Sequence, residues 1–163
     1  MHFASANIQT TFKMQVNFRD IFIVMKKNKK RSDCPISCTL DILGDKWSLL
    51  IIRDMMFRQK STYGEFLKSE EKIATNILAS RLQDLEENEL IEKLEHPESK
   101  AKVLYKLTPK AIDLLPIIVE IHLWADKYFN IPADIKAMIN ETKKGKEEFI
   151  KATTQQLKKQ ITT

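Results

Sequence analysis

Glycine is scarce in this chain, with three residues in 163, and proline is little commoner at five. Tight turns and hairpins lean on those two residue types, so few are available and a mostly helical fold is favoured. Cysteine is scarcer still. Cys34 and Cys38 stand four residues apart with no second pair, and His2, His96 and His122 fall at no paired spacing. A zinc site is therefore not expected. A thioredoxin-type catalyst needs two residues between its cysteines in a βαβ setting, and neither is present. A nucleophilic thiol enzyme would want a histidine base with an orienting Asp or Asn, and nothing near the cysteines supplies one.

Long apolar runs are also missing. None approaches the roughly 20 residues of a membrane span. The stretch Ile21 to Met25 is too short for a signal-peptide core, and its basic cluster follows it rather than preceding it. The expectation is a cytoplasmic protein with no membrane partner and no cofactor, whose cysteines are thiols rather than a disulfide.

What is present is ordinary for a globular chain: 43% hydrophobic and 30% charged residues. The length suits one domain with extensions. The formal charge of +5 is compatible with a polyanionic partner. Three regions are expected: an N-terminal extension over 1–32, a domain over 33–130 and a C-terminal helical tail over 131–163. The extension ends in "KKNKKR", Lys26 to Arg31, which reads either as a solvated arm or as an arm reaching phosphates. Met25, directly before it, is a second candidate start.

From Thr39 the pattern is helical. Leu40, Leu43, Trp47, Leu50, Ile51 and Met55 recur at helical spacing. Gly44 interrupts it, so a short helix, a break and a second helix are predicted, with Asp45 as N-cap. Tyr63 to Lys68 suits a short helix with Tyr63, Phe66 and Leu67 inward. "SEEK" then turns the chain into a longer helix, about Ala74 to Asn88, with Ile77, Leu78, Leu82 and Leu85 on one face. Leu90–Glu95 and Val103–Thr108 alternate apolar and polar residues, as half-buried strands do, around a long polar tip. A helix from Pro109 to about Phe129 follows, with Leu115, Ile118, Ile121, His122 and Ala125 on one flank. Pro132 opens a last helix, polar from Thr142 and expected to be loosely held.

Helix, turn, helix and hairpin in that order make a winged helix-turn-helix: mainly α, with one small β-hairpin. Such a unit lays the start of its second motif helix in the DNA major groove. The predicted outer face of that helix carries Thr75, Asn76, Ala79, Ser80, Arg81 and Gln83. Short hydroxyl, amide and guanidinium groups read base edges and phosphates, whereas a merely solvated helix would use Glu and Lys. The acidic residues Asp84, Glu86, Glu87 and Glu89 gather at its C-terminal end. The hairpin tip offers Lys100 and Lys102, which can reach sugar-phosphate or simply stay solvated.

"CPISCTLDILGDKWSLLIIRDMM", "ILASRLQDLEENELIEK" and "YKLTPKA" resemble the HxlR-type family of bacterial winged-helix regulators. The likeness covers about Asp33 to Phe129. It implies a homodimeric transcription factor acting on double-stranded DNA, not an enzyme, with a dimer interface from the first helix and the long helix after the hairpin. It also implies that Lys46 and Trp47 start the second helix close to the DNA backbone. Two features depart from the pattern. Ala111 stands where members often carry glycine, and the wing "HPESKAKVLY" has less proline and arginine than usual.

Cys34 matches the Cys-Pro at the front of that pattern, where the cysteine of some members senses oxidants or electrophiles. Arg31 and the lysines before it would favour a thiolate at a helix start. The plainer alternative is a small apolar residue packed at the dimer interface, which also suits Cys38. Two rivals to a DNA-binding regulator stand beside it: a helix-turn-helix module that binds only protein, and a small thiol enzyme.

Overall fold

A computed structural model describes residues 31–96 and 99–162. The N-terminal extension, with all of the basic run except Arg31, and the wing tip at Pro97 lie outside the described residues. Eight helices and one hairpin are described. They are α1 Pro35–Leu43, α2 Ser48–Arg58, α3 Tyr63–Leu67, α4 Thr75–Glu87, β1 Ile91–His96, β2 Ser99–Leu107, α5 Pro109–Ile112, α6 Leu115–Tyr128, α7 Ala133–Lys144 and α8 Lys146–Thr162. The order is that of a winged helix-turn-helix with helices added after the wing.

Pro35 opens α1 at a position where its missing N–H is no loss. Gly44 ends it for a steric reason: a Cβ there would collide with the carbonyl oxygen of Leu40, which already accepts the Gly44 N–H at 2.9 Å. α2 begins at Ser48 with Trp47 as its N-cap, two residues past the predicted N-cap, Asp45. The Asp45 Oδ1 accepts the N–H groups of Trp47 at 2.7 Å and Ser48 at 3.0 Å. Thr62 and Glu65 form a capping box that starts α3.

The core gathers Ile52, Phe66, Leu78, Leu82, Leu85, Ile91, Ile112 and Leu115, all essentially inaccessible. In α4 the buried stripe is Leu78, Leu82 and Leu85. Ile77, expected on the same face, is turned outward at 37% exposure. One helical step is 100° of rotation, and the three leucines already fill the contact with α2 and α3.

β1 and β2 pair antiparallel, with Ile91 opposite Leu107 and Lys93 opposite Tyr105. The predicted long tip is much shorter, because β2 reaches back to Ser99, opposite His96, past a register irregularity at Glu95/His96. Thr62 bridges Leu104, and Tyr105 N–H donates to the Ser61 carbonyl at 2.7 Å. The wing is thereby fastened to the entry of α3.

The predicted single helix from Pro109 to Phe129 is two. Pro116 has no N–H to give the carbonyl of residue 112, so the chain turns at Asp113–Leu114 before α6 begins. The end of the chain also differs from expectation. It is not loosely held: Thr142 is buried and Leu157 is 3% exposed within the main core. Phe149, Ile150 and Ile161 pack beside Leu157, a sparse apolar stripe in an otherwise polar helix. Lys143 to Asp126 at 2.5 Å and Lys146 to Glu120 at 2.7 Å tie these helices to α6. Among the described residues no helix is long and apolar enough to cross a membrane.

Candidate nucleic-acid interface

α2, the α3–α4 turn and the polar connection between them are locked by one carboxylate. Asp54 on α2 is 2% exposed. Its Oδ2 accepts from Lys60 Nζ at 2.8 Å and Ser69 Oγ at 2.7 Å, and its Oδ1 from Arg53 Nη2 at 2.6 Å. Arg53 reaches on to Glu71 at 2.7 Å. Burial pushes the Asp54 carboxyl up, but hydrogen bonds from Lys60, Ser69 and Arg53 outweigh it and hold it below its ordinary value. The two helices of the motif are thus set against α2 by charge as well as by the leucine core.

On that frame the outer face of α4 presents Thr75, Asn76, Ala79, Ser80 and Gln83 to solvent. Acidic groups farther along are paired: Glu86 with Lys93 at 2.5 Å, and Glu87 accepting from Gln83 at 2.7 Å. Tyr63 OH donates to the Thr75 carbonyl at 2.8 Å and fixes the first turn of α4 on α3.

Arg81 behaves differently from its exposed neighbours. It is half-buried, pairs with Asp84 at 2.6 Å and reaches Asp45 at 3.4 Å. Asp45 accepts the Trp47 N–H at the start of α2 and also meets the Ser48 hydroxyl. Burial raises the Asp45 carboxyl, yet the Ser48 and backbone hydrogen bonds with the Arg81 charge bring it below its usual value. One charged group therefore joins the start of α2 to the middle of α4. Lys46 lies exposed at that junction, its ammonium 5.3 Å from the ring centroid of Trp47, which packs against the core. Lys102 is exposed on the wing, and the Lys100 side chain lies outside the described residues.

Cys34 is a free, exposed thiol at the N-cap of α1, and Cys38 is a half-buried one whose Sγ donates to the Ser32 carbonyl at 3.3 Å. Arg31, expected to support a Cys34 thiolate, is instead ion-paired with Asp41 at 2.6 Å. Among the described residues no group of three His, Cys, Asp or Glu side chains could hold a metal ion.

A family model described as HxlR-like helix-turn-helix matches residues 42–132, more than half of the chain. The chain belongs to the HxlR-like helix-turn-helix family. It is a transcriptional regulator of that type, and its relatives are transcription regulators, not enzymes. The HTH-type transcriptional regulator BH0655 of Halalkalibacterium halodurans is 36% identical over 104 residues, 64% of this chain and 92% of that one. The regulator YodB of Bacillus subtilis is 35% identical over 96 residues, 58% of this chain and 85% of YodB. The structure of its reduced form aligns with a TM-score of 0.50 at 32% identity, covering 60% of this chain and 95% of that one. The redox regulator HypR in its oxidised form aligns with a TM-score of 0.53 at 26% identity, covering 60% of this chain and all of HypR.

In this HxlR-like chain the helices beyond residue 132 lie outside the family match and pack on the flank of α6. They leave one side of α6 open. Ile117, Ile121, Trp124 and Tyr128 stand exposed there, with Phe129 just beyond. The Trp124 ring meets Tyr128 at a tilt and Phe129 edge-to-face, at ring distances of 5.1 and 5.6 Å. Ile36 and Leu40 of α1 are likewise exposed. Three features lie beyond local sequence pattern: the Asp54 hub, the Asp45–Arg81 link and the outward turn of Ile77. Only the first left a trace, as an aspartate inside the apolar run of α2.

Proposed function

We propose that this regulator is a cytoplasmic homodimer that binds double-stranded DNA at a pseudo-palindromic operator and is released by oxidants or electrophiles acting at Cys34. The observation that carries the DNA-binding part is the outer face of α4. Thr75, Asn76 and Ser80 are exposed there, and side chains of this kind recognise base edges and phosphates. Lys46 beside Trp47 supplies a backbone contact at the start of α2, and Lys100 and Lys102 extend it along the wing. Arg81 joins the face by exchanging Asp84 for a phosphate or base, a contact that requires an existing ion pair to open.

Dimerisation is supported by the apolar side of α6 with Ile36 and Leu40 of α1. Two such faces meeting across a two-fold axis would bury the clustered rings of Trp124, Tyr128 and Phe129. The two α4 helices would then dock about one helical turn of DNA apart, roughly 34 Å. Redox control is supported by the exposed Cys34 thiol at the head of α1, the helix that also carries the exposed Ile36 and Leu40, and by the likeness to HypR, a redox regulator. A covalent change at Cys34 would disturb α1 and so the spacing of the two recognition helices.

The test is selection of bound fragments from random duplex DNA, followed by gel-shift titration with and without diamide. A two-fold-related sequence is expected, bound by wild type and lost on oxidation. Cys34→Ser should bind it and resist the oxidant. Recovery of no preferred sequence would turn the assignment towards a protein-binding helix-turn-helix module. Release of Cys34→Ser equal to wild type would remove the sensor.

A further inference from the structure

Nearly all large apolar side chains left exposed among the described residues belong to α1, α6 with Phe129, or the wing. Ile77 does not. It is the third residue of α4, in the first turn, which is the part of a recognition helix that meets base edges. Nothing in the core requires it, because Leu78, Leu82 and Leu85 make that contact and are wholly buried.

Its position on the motif is well bounded. Ile77 lies three residues before Ser80 and four before Arg81, so the three share one side of the helix. Arg81 is drawn to Asp45, so that side faces the start of α2 with Lys46. Asn76 is adjacent in sequence. Ile77 is thus an aliphatic group set among polar ones on the candidate DNA face, and its β-branch restricts its rotamer in a helix.

Only one base presents an apolar group at its major-groove edge: thymine, through its 5-methyl. The geometry points to Ile77 as a specificity residue that recognises a thymine by contact with that methyl group. This rests on the DNA-binding function proposed above.

Deoxyuridine keeps every hydrogen-bonding group of thymidine and lacks only the methyl. The probe is the duplex returned by selection, with each thymine replaced in turn by deoxyuridine, titrated by gel shift against the full chain. Wild type should lose about fourfold in affinity at one thymine of each half-site, the weight of one buried methyl group. Ile77→Ala should bind the thymine and uracil duplexes equally at that position. The assignment is overturned if no thymine is sensitive in wild type, or if Ile77→Ala keeps the same sensitivity. In either case the DNA-binding function stands, because the selected duplex is still bound. Failure of selection to return any sequence removes both.

Discussion

Replacing Asp54 by alanine should cost this protein more stability than any other single change at a charged residue among the described residues. The carboxylate is 2% exposed and accepts from Lys60, Ser69 and Arg53 at 2.6 to 2.8 Å. Removing one partner of a buried ion pair costs about 3–5 kcal/mol, because the remaining charges stay desolvated. Arg53 and Lys60 keep 18% and 16% side-chain exposure, so each recovers some hydration, and Arg53 retains Glu71. The lower end, about 3 kcal/mol, is therefore expected. For a chain of this length that corresponds to a fall in melting temperature of about 6–12 °C. Asp54→Asn keeps the volume and one acceptor and should lie between wild type and alanine. Urea unfolding followed by far-UV circular dichroism measures the difference, with the denaturant slope unchanged if the native fold is retained. A loss below about 1 kcal/mol, the weight of an exposed ion pair, would refute the account of Asp54 as the lock between α2 and the motif turn. The same carboxylate sets an acid limit. Its folded value is depressed, so its contribution is complete above about pH 4 and is lost as the pH falls through that lower value.

Leu157→Ala should cost about 2–5 kcal/mol, as for a buried leucine, and a thermal melt indistinguishable from wild type would show that α8 does not belong to the core. His122 gives a separate pH signature. Burial and the charge of Arg53 hold its pKa below the ordinary 6.5, so the unfolded chain binds the extra proton and stability should fall as pH drops through about 6.5, flattening below the folded value. Urea midpoints between pH 8 and 5.5 should show this slope in wild type and not in His122→Phe, which keeps the edge-to-face contact with Phe57. Trp124→Ala should weaken the proposed dimer by about 2 kcal/mol or more, the scale of a buried aromatic anchor. Sedimentation equilibrium showing wild type as a monomer at micromolar concentration would remove that interface.

The order of elements was determined by local chemistry, and so it could be seen without coordinates. Leucines at 78, 82 and 85 specify one buried side of α4, alternation specifies the hairpin, and Pro35 and Gly44 bound α1. That Asp45 would serve the entry to α2 followed from residue type at the start of an apolar period, although the N-cap itself is Trp47. Each of these depends on neighbours within a turn or two of the same chain segment. What tertiary structure decided depends on residues far apart in sequence. Asp54 meets Ser69, and Asp45 meets Arg81 thirty-six residues later, only because α2 crosses the motif. Ile77 faces outward because three leucines fill the space that periodicity alone would have let it share. The end of the chain looked too polar to hold, yet four apolar residues in α8 suffice once α6 offers them a surface and Asp126 and Glu120 offer charges to Lys143 and Lys146. Burial belongs to the assembled surface rather than to composition, and that is why the tail and Ile77 were decided only by the fold.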